Sequence, residues 1–240
     1  MSWADIRSEV RDGRDVIVKS TSYDARLEAE GLEALGAAGA PVPEVLEVTE
    51  HRLIMAEVSG SPDWESLAVA VSDVHRHTAD TFGWRGDNVI GDRPQRNSPA
   101  DDWPTFYIER RLRPWLGSLP SELRRRLDHA MSGVLVDLLD HDAVPSLIHG
   151  DLWSGNVVDG SWLIDPAVSH SDREVDLAFA RLFGGIPERF FDAYADAWPL
   201  DIGWEQRLPA LQLYHALVHV EIFGSAYVPM VDRLLRALGA

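Results

Sequence analysis

The densest chemistry in the sequence is the segment Leu147-Ile-His-Gly-Asp-Leu-Trp-Ser-Gly-Asn156, followed shortly by Leu163-Ile-Asp-Pro-Ala167. Asp151 and Asn156 are five residues apart, and Asp165 comes nine residues later. A strand running into a loop, then a short strand at Trp162–Ile164, lets these three side chains converge on one point. That triad suits phosphoryl transfer. Its transition state spreads charge over the phosphoryl oxygens, so catalysis is mostly positioning and neutralisation. One carboxylate must stand beside the attacking hydroxyl, which is the role expected of Asp151. Hard oxygen ligands must hold Mg²⁺ against the nucleotide phosphates, which suits Asn156 and Asp165. A lone Asp in a loop is more often a turn or cap residue. The reading rests on the rarer combination, Asp-x4-Asn followed by an apolar strand ending in Asp. His149, two residues before the expected base, is read as a brace for the loop backbone rather than a proton carrier.

The upstream partner is Lys19, at the end of the apolar run Val16-Ile-Val18. A strand lysine reaches nucleotide phosphates when a helix glutamate fixes its side chain. Glu28 shares a helix face with Leu32 and Leu35 at spacings of four and seven, whereas Glu30 lies on another face, so Glu28 is the expected partner.

The elements that must position these groups follow from pattern. Val16–Lys19 reads as a strand after a turn at Asp12-Gly13, and residues 26–38 read as a helix that Pro41 and Pro43 cannot continue. Val45–Glu50 and Arg52–Val58 suggest a hairpin, and Ser59-Gly60-Ser61-Pro62 a hinge. Beyond it, 64–80 reads as a helix, 83–102 as an ordered loop, 103–117 and 120–141 as helices, and everything past 172 as helical. Arg110, Arg111, Arg113 and Arg124–Arg126 are read as a solvated helix face. No internal repeat or low-complexity tract is present.

Composition excludes several classes. Acidic residues number 39 against 22 basic ones, a formal charge of −17 that repels nucleic acid and anionic membranes and attracts a cationic small substrate. The absence of cysteine excludes disulfides and thiolate chemistry. The N-terminal MSWADIRSEVRDG has no apolar core of a signal peptide, and no apolar run approaches membrane-spanning length, so a cytoplasmic protein is expected.

These residues resemble the fructosamine kinase (ketosamine kinase) family, relatives of the aminoglycoside phosphotransferases. The broader group shares the His-Gly-Asp-x4-Asn and Ile-Asp arrangement. The narrower family is suggested by Trp153, Asp165-Pro-Ala167 and Arg173-Glu-Val-Asp-Leu-Ala178. His75-Arg-His-Thr78, Phe82-Gly-Trp84, Asn88-Val-Ile-Gly91, Gln95, Asn97, Trp103, Arg111-Leu112, Pro199-Leu200, Leu213-Tyr214, His219 and Phe223-Gly224 add to it, so the likeness runs from about residue 16 to the C-terminus.

The resemblance implies an α+β, two-lobed protein-kinase-like fold. A small mixed N-lobe with an antiparallel sheet would span 1–60, and a larger, mostly helical C-lobe 61–240. It implies ATP and Mg²⁺ in the cleft, with Asp151 as base, Asn156 and Asp165 on the metal, and Lys19 with Glu28 on the phosphate side. Backbone groups of Met55, Ala56, Glu57 and Val58 would hold adenine. Asp176 matches a position that braces the catalytic loop. The acceptor would be a ketoamine, with the ring of Trp153 over its sugar or ammonium group. Glu174, Tyr214 and His219 are further acceptor-pocket candidates. The chain departs from the family in two places. Only 18 residues precede Lys19, with no glycine pair, so the phosphate cover is expected to be abbreviated or to begin upstream. After Ala167 it carries Val168-Ser-His-Ser171, where His170 either faces the substrate or packs within the loop. An aminoglycoside or other amino alcohol as acceptor, or a catalytically inactive scaffold, are the competing readings.

Overall fold

A computed structural model describes residues 4–240; Met1–Trp3, the start of the stretch read above for a signal peptide, lie outside it. Four antiparallel strands open the chain in the order β1-β2-β4-β3, with β1 at Ala4–Arg11, β2 at Arg14–Thr21, β3 at Val45–Thr49 and β4 at Arg52–Ala56. Strand β1 was not assigned from the sequence. It pairs with β2 along its full length, Ala4 opposite Thr21 to Arg11 opposite Arg14. The two-residue turn is Asp12-Gly13, with φ of 51° and 78°, the left-handed pair that a tight Asp-Gly hairpin demands. Its charged residues, Asp5, Arg7, Glu9 and Arg11, alternate with Ala4, Ile6 and Val10, a period of two that a search for apolar runs passes over.

Helix α1 (Arg26–Ala37) lies across one face of this sheet. Its Ala25, Ala29 and Leu32 side pack with Leu53 and Met55 in one core cluster. The pleat sends Ile17 and Lys19 to that face while Val16 and Val18 pack with Ile54 on the other. Lys19 is therefore aimed at α1 by its register alone.

The remainder is mostly helical. Helix α2 (Trp64–His75) is capped by Asp63, whose carboxylate accepts from Ser66 N–H at 3.1 Å. It stops before the expected residue 80 because the chain turns into sheet pairing: Thr78 bridges Ser146, and Leu147 N–H donates to His77 C=O at 2.8 Å. The expected loop 83–102 contains a hairpin, β5 (Asn88–Ile90) with β6 (Arg93–Gln95). The expected helix 103–117 is a short α-helix, α3 (Trp103–Phe106), continued by a π turn to Leu112 and a 3₁₀ turn to Ser118. Helix 120–141 is broken at Ser132-Gly133 into α4 (Ser121–Met131) and α5 (Val134–Leu139).

Strand β7 (Ser146–Ile148) leads into the Asp151 loop, and β8 (Val157–Val158) and β9 (Trp162–Leu163) form the short hairpin between Asn156 and Asp165. Strand β10 (Ser169–Ser171) pairs back to β7. Helices α6 (Glu174–Leu182), α7 (Glu188–Ala197), α8 (Trp204–Phe223) and α9 (Val228–Ala237) complete the fold.

The basic residues do not all form a solvated face. Arg111 is buried under the rings of Phe106 and Tyr214 and donates to Arg96 C=O and to Asn97 Oδ1. A planar five-donor head can satisfy loop acceptors inside the protein, which a charge count along the sequence does not reveal.

Candidate active site

Lys19 reaches across from β2 to two carboxylates. Its Nζ lies 2.8 Å from Glu28 Oε2 and 2.9 Å from Asp165 Oδ1. Glu28 is in the first turn of α1 and buried, while Glu30 lies elsewhere and accepts from Trp84 Nε1 at 3.1 Å. Tyr23, between β2 and α1, donates to the same Glu28 oxygen at 2.6 Å. Burial works against the Lys19 ammonium, but Glu28 and Asp165 outweigh it and hold its pKa above the ordinary lysine value. Glu28 Oε1 is buried without a hydrogen bond among the described residues.

The loop carrying Asp151 hangs from Asp176 on α6. His149 N–H and Gly150 N–H donate to the two oxygens of that carboxylate at 2.7 and 2.8 Å, and His75 Nε2 on α2 lies 3.2 Å from it. Burial opposes the ionised Asp176, but His75 and the loop N–H groups prevail and keep its carboxyl below the usual range. The His149 ring braces the loop on both edges, Nε2–H donating to Ile164 C=O at 3.0 Å and Nδ1 accepting from Asp151 N–H at 3.2 Å. Gly150 is required twice over. Its φ is +82°, and a Cβ there would stand 2.0 Å from Ala167 C=O.

Asn156 turns its amide nitrogen to Asp151, 2.9 Å from the main-chain oxygen and 2.7 Å from Oδ2. Its Oδ1 is thereby left as a hard oxygen donor toward the cleft. Asp165 engages Lys19 through Oδ1 alone. It also holds a left-handed φ of 56°, uncommon for a residue with a Cβ and a known mark of functional loops. Hydrogen bonds on both sides fix it there, from Ile164 N–H to Asn156 C=O (3.1 Å) and from Ala167 N–H to His149 C=O (2.9 Å). The donor set around Asn156 and Asp165, all oxygen and partly unengaged, fits Mg²⁺.

Beneath the loop, His215 stacks on Phe179 with ring centroids 3.7 Å apart and donates from Nε2 to Gly150 C=O at 2.9 Å. Burial pulls its pKa down to about 3. An unfolded chain takes up that proton below about pH 6.5, whereas the folded one does not until about pH 3. Stability should therefore fall across this window as pH drops, by an amount on the order of a few kcal/mol. His215→Gln keeps a donor for Gly150 and should flatten the slope by one proton, measured by denaturant unfolding at a series of pH values between 7 and 4.

Asp151, Asn156, Asp165, Lys19, Glu28, Trp153 and His219 line one cleft. The other acceptor candidates do not. Glu174 is buried in a two-pronged ion pair with Arg207, at 2.7 and 2.6 Å. Tyr214 is buried beside the cleft with its hydroxyl 2.5 Å from Gln95 Oε1. His170 lies against the ring of Trp84, centroids 5.2 Å apart, on a different face, because the pleat of β10 buries Ser169 and Ser171 and turns His170 the other way. Of the four residues expected to hold adenine, Ala56 and Glu57 already donate their N–H groups to Glu44 and Asp15 C=O, at 2.9 and 3.1 Å. Val58 makes no hydrogen bond to the described residues, so its backbone groups are open. Tyr23, Val89 and Ile90 also line the cleft; Val89 and Ile90 were noted only within the family-like Asn88–Gly91, and Tyr23 not at all. Asn88 and Gln95 were noted only as family-like residues. Asn88 Nδ2 donates to Val168 C=O at 2.9 Å and Gln95 Nε2 to Ala167 C=O at 3.0 Å, which ties the β5–β6 hairpin to the segment after Asp165.

The sequence profile of the fructosamine kinase family matches residues 14–239. The chain belongs to the fructosamine kinase family. Among relatives, a probable ketoamine kinase of Enterococcus faecium is 38% identical over 234 residues, covering 91% of this chain and 83% of the relative. A Thermobifida fusca structure assigned to fructosamine-3-kinase superposes with a TM-score of 0.89 at 34% identity, covering 98% of this chain and 93% of the other. An aminoglycoside phosphotransferase at 19% identity, TM-score 0.68, covering 100% and 92%, shares the protein-kinase-like fold. The α+β fold and the phosphotransferase class expected from sequence are both met in this fructosamine kinase family member. No helix of the described residues is long and apolar enough to cross a membrane.

Within this framework Lys19→Ala and Glu28→Ala should impair the same step and combine non-additively, because the carboxylate acts through the ammonium. Single-turnover rates of the two variants and the double variant measure this. Fully additive losses would mean that the 2.8 Å contact does not matter to turnover.

Proposed function

We propose that the chain transfers the γ-phosphoryl of ATP to a sugar hydroxyl of a ketoamine, such as a fructosamine or ribulosamine. The observation that carries this reading is the mixed lining of the cleft. Lys19, Glu28, Asn156 and Asp165 share it with the apolar Val89, Ile90, Val218 and Ile222, and with Asp151 and Trp153. The charged group suits nucleotide phosphates with their metal. Glu28 and Asp165 are engaged by Lys19, which leaves Asp151 as the one lining carboxylate among the described residues not paired with a cation, enough for a single ammonium but poor for the several of an aminoglycoside.

In this reading Asn156 and Asp165 hold Mg²⁺, which when bound neutralises charge on the transferring phosphoryl group. Lys19, kept in place by Glu28, meets the phosphate oxygens. Asp151 accepts the proton of the attacking hydroxyl as the new O–P bond forms and the bond to the ADP oxygen breaks. Trp153 covers the sugar or its ammonium group, and His219 lines the same pocket. Adenine rests at Met55–Val58, its backbone hydrogen bond falling to Val58. Residues 1–60 and 61–240 act as the two lobes, in the cytoplasm where ATP is at hand. Hydrogen bonds from Ser161 Oγ to Ser61 C=O (2.7 Å) and from Gly60 N–H to Asp159 (3.1 Å) tether the link between them.

The test compares kcat/KM for fructosyl- and ribulosyl-lysine with that for an aminoglycoside and a simple polyol. A ketoamine is expected to lead by at least tenfold. An aminoglycoside leading by that margin would leave the kinase reading standing and remove the ketoamine.

A further inference from the structure

Outside the cleft, three polar side chains meet where the α5–β7 connection crosses the start of α6. His141 follows α5, Asp172 follows β10, and Glu174 is the first residue of α6. One ring nitrogen and one oxygen from each carboxylate lie within 4.8 Å of one another. Asp172 and Glu174 are 2% and 1% exposed. Carboxylates at a helix start are ordinary, since they meet the positive end of its dipole. What is not ordinary is that Asp172 Oδ2 and the His141 nitrogens are left without a hydrogen bond among the described residues. Asp172 Oδ1 accepts from Glu174 N–H at 2.9 Å, which leaves Oδ2. That oxygen stands 2.9 Å from His141 Nε2, an ion-pair distance only when the imidazole carries a proton that a metal ion could replace. Asp172 Oδ2 and both His141 nitrogens are buried. Buried polar atoms of this kind are costly when nothing replaces their water.

We propose that His141, Asp172 and Glu174 bind a divalent transition-metal ion of the zinc class. A cation between them would take lone pairs from Nε2 and Oδ2 together and remove the unsatisfied contact. Tetrahedral metal–ligand bonds of about 2.0–2.2 Å place ligands roughly 3.3–3.6 Å apart, so His141 and Asp172, at 2.9 Å, part slightly while the Glu174 oxygen, within 4.8 Å, closes in. Charge points the same way. Glu174 also holds Arg207, so with a neutral imidazole two carboxylates and one guanidinium leave a buried net charge of −1. An imidazole with two carboxylates selects a borderline metal over Mg²⁺ or Ca²⁺, which favour all-oxygen sites. Asp140, Asp142 and Asp201 rim the opening beside His141 and Arg207 and give a cation an acidic approach. The bound ion would pin α6, which carries Asp176 two residues beyond Glu174, to the connection after α5. Its role is to brace the element from which the Asp151 loop hangs.

The test uses chain stripped with EDTA and titrated with ZnCl₂ by calorimetry, with the thermal midpoint followed alongside. One saturable equivalent of Zn²⁺ and a rise of several degrees are expected, with MgCl₂ unable to substitute. His141→Ala should weaken binding by about tenfold or more and remove the rise. Asp172→Asn keeps the oxygen that caps Glu174 and should do the same; circular dichroism checks that both variants fold. Asp165→Ala, in the cleft, should retain the zinc equivalent. No saturable equivalent in the unaltered protein would overturn the proposal and leave a His141–Asp172 ion pair only. Zinc binding undiminished in both variants, or lost in Asp165→Ala alone, would overturn it equally.

Discussion

Asp151→Asn is expected to lower kcat by on the order of 10²–10⁴ while nucleotide affinity stays within a few-fold. The substitution keeps the shape and the neighbour Asn156 but removes the carboxylate proposed to take the hydroxyl proton. Burial raises the Asp151 carboxyl, the Asn156 hydrogen bond opposes this, and repulsion from Asp165 and Asp176 adds to it, so that its pKa stands at about 7. A base must be unprotonated to act, so kcat/KM should rise with pH to about 7 and then level. The Asn variant should lose that inflection along with the rate. Initial rates across pH 5.5–9 with saturating MgATP measure both. A variant with near-normal turnover would end the assignment of Asp151 as base.

Asp165→Ala should be at least as severe. It deletes an anionic oxygen expected on the metal and one of the two carboxylates that hold Lys19, at 2.9 Å. Loss of metal-borne charge stabilisation is worth several kcal/mol, roughly 10³-fold in rate. The alanine must also accept the φ of 56°, so some loss of stability will accompany it. Asn tolerates that backbone far better, and Asp165→Asn separates the two effects: it should fold as the parent does yet still need much more Mg²⁺. Titrating Mg²⁺ against rate for Asp165→Ala, Asp165→Asn and Asn156→Ala gives the comparison. Unchanged metal dependence in all three would remove the metal site from this loop.

What could be read in advance was whatever local spacing dictates. Lys19 and Glu28 were legible because strand register and helix periodicity each fix a direction, and the two directions meet. The loop from His149 to Asn156 was legible because glycine, aspartate and asparagine at set offsets leave few alternatives. Strand β1 was missed although its charged and uncharged residues alternate from Ala4 to Arg11, because it contains no apolar run. The buried Arg111 and the Asn88–Gln95–Asn97 network were not read as buried, since a polar residue shows in sequence neither that it is covered nor by what. His170 and Glu174 were misdirected for a related reason: closeness in sequence to Asp165 and Asp176 says nothing about which way a pleat or helix turns a side chain.

Asp176 has a consequence for how this protein fails. Its one carboxylate receives α2 through His75 and the Asp151 loop through two amides, while its own backbone belongs to α6. The loop therefore has no private hinge. It cannot loosen without uncovering a carboxylate and an imidazole that are fully buried, so the opening that frees it is expected to be a large one. The amides of His149 and Gly150, although in a loop, should be among the slowest in the chain to exchange with deuterated water. On heating, activity and structure should vanish together, with no intermediate temperature at which the protein is still folded and already inert.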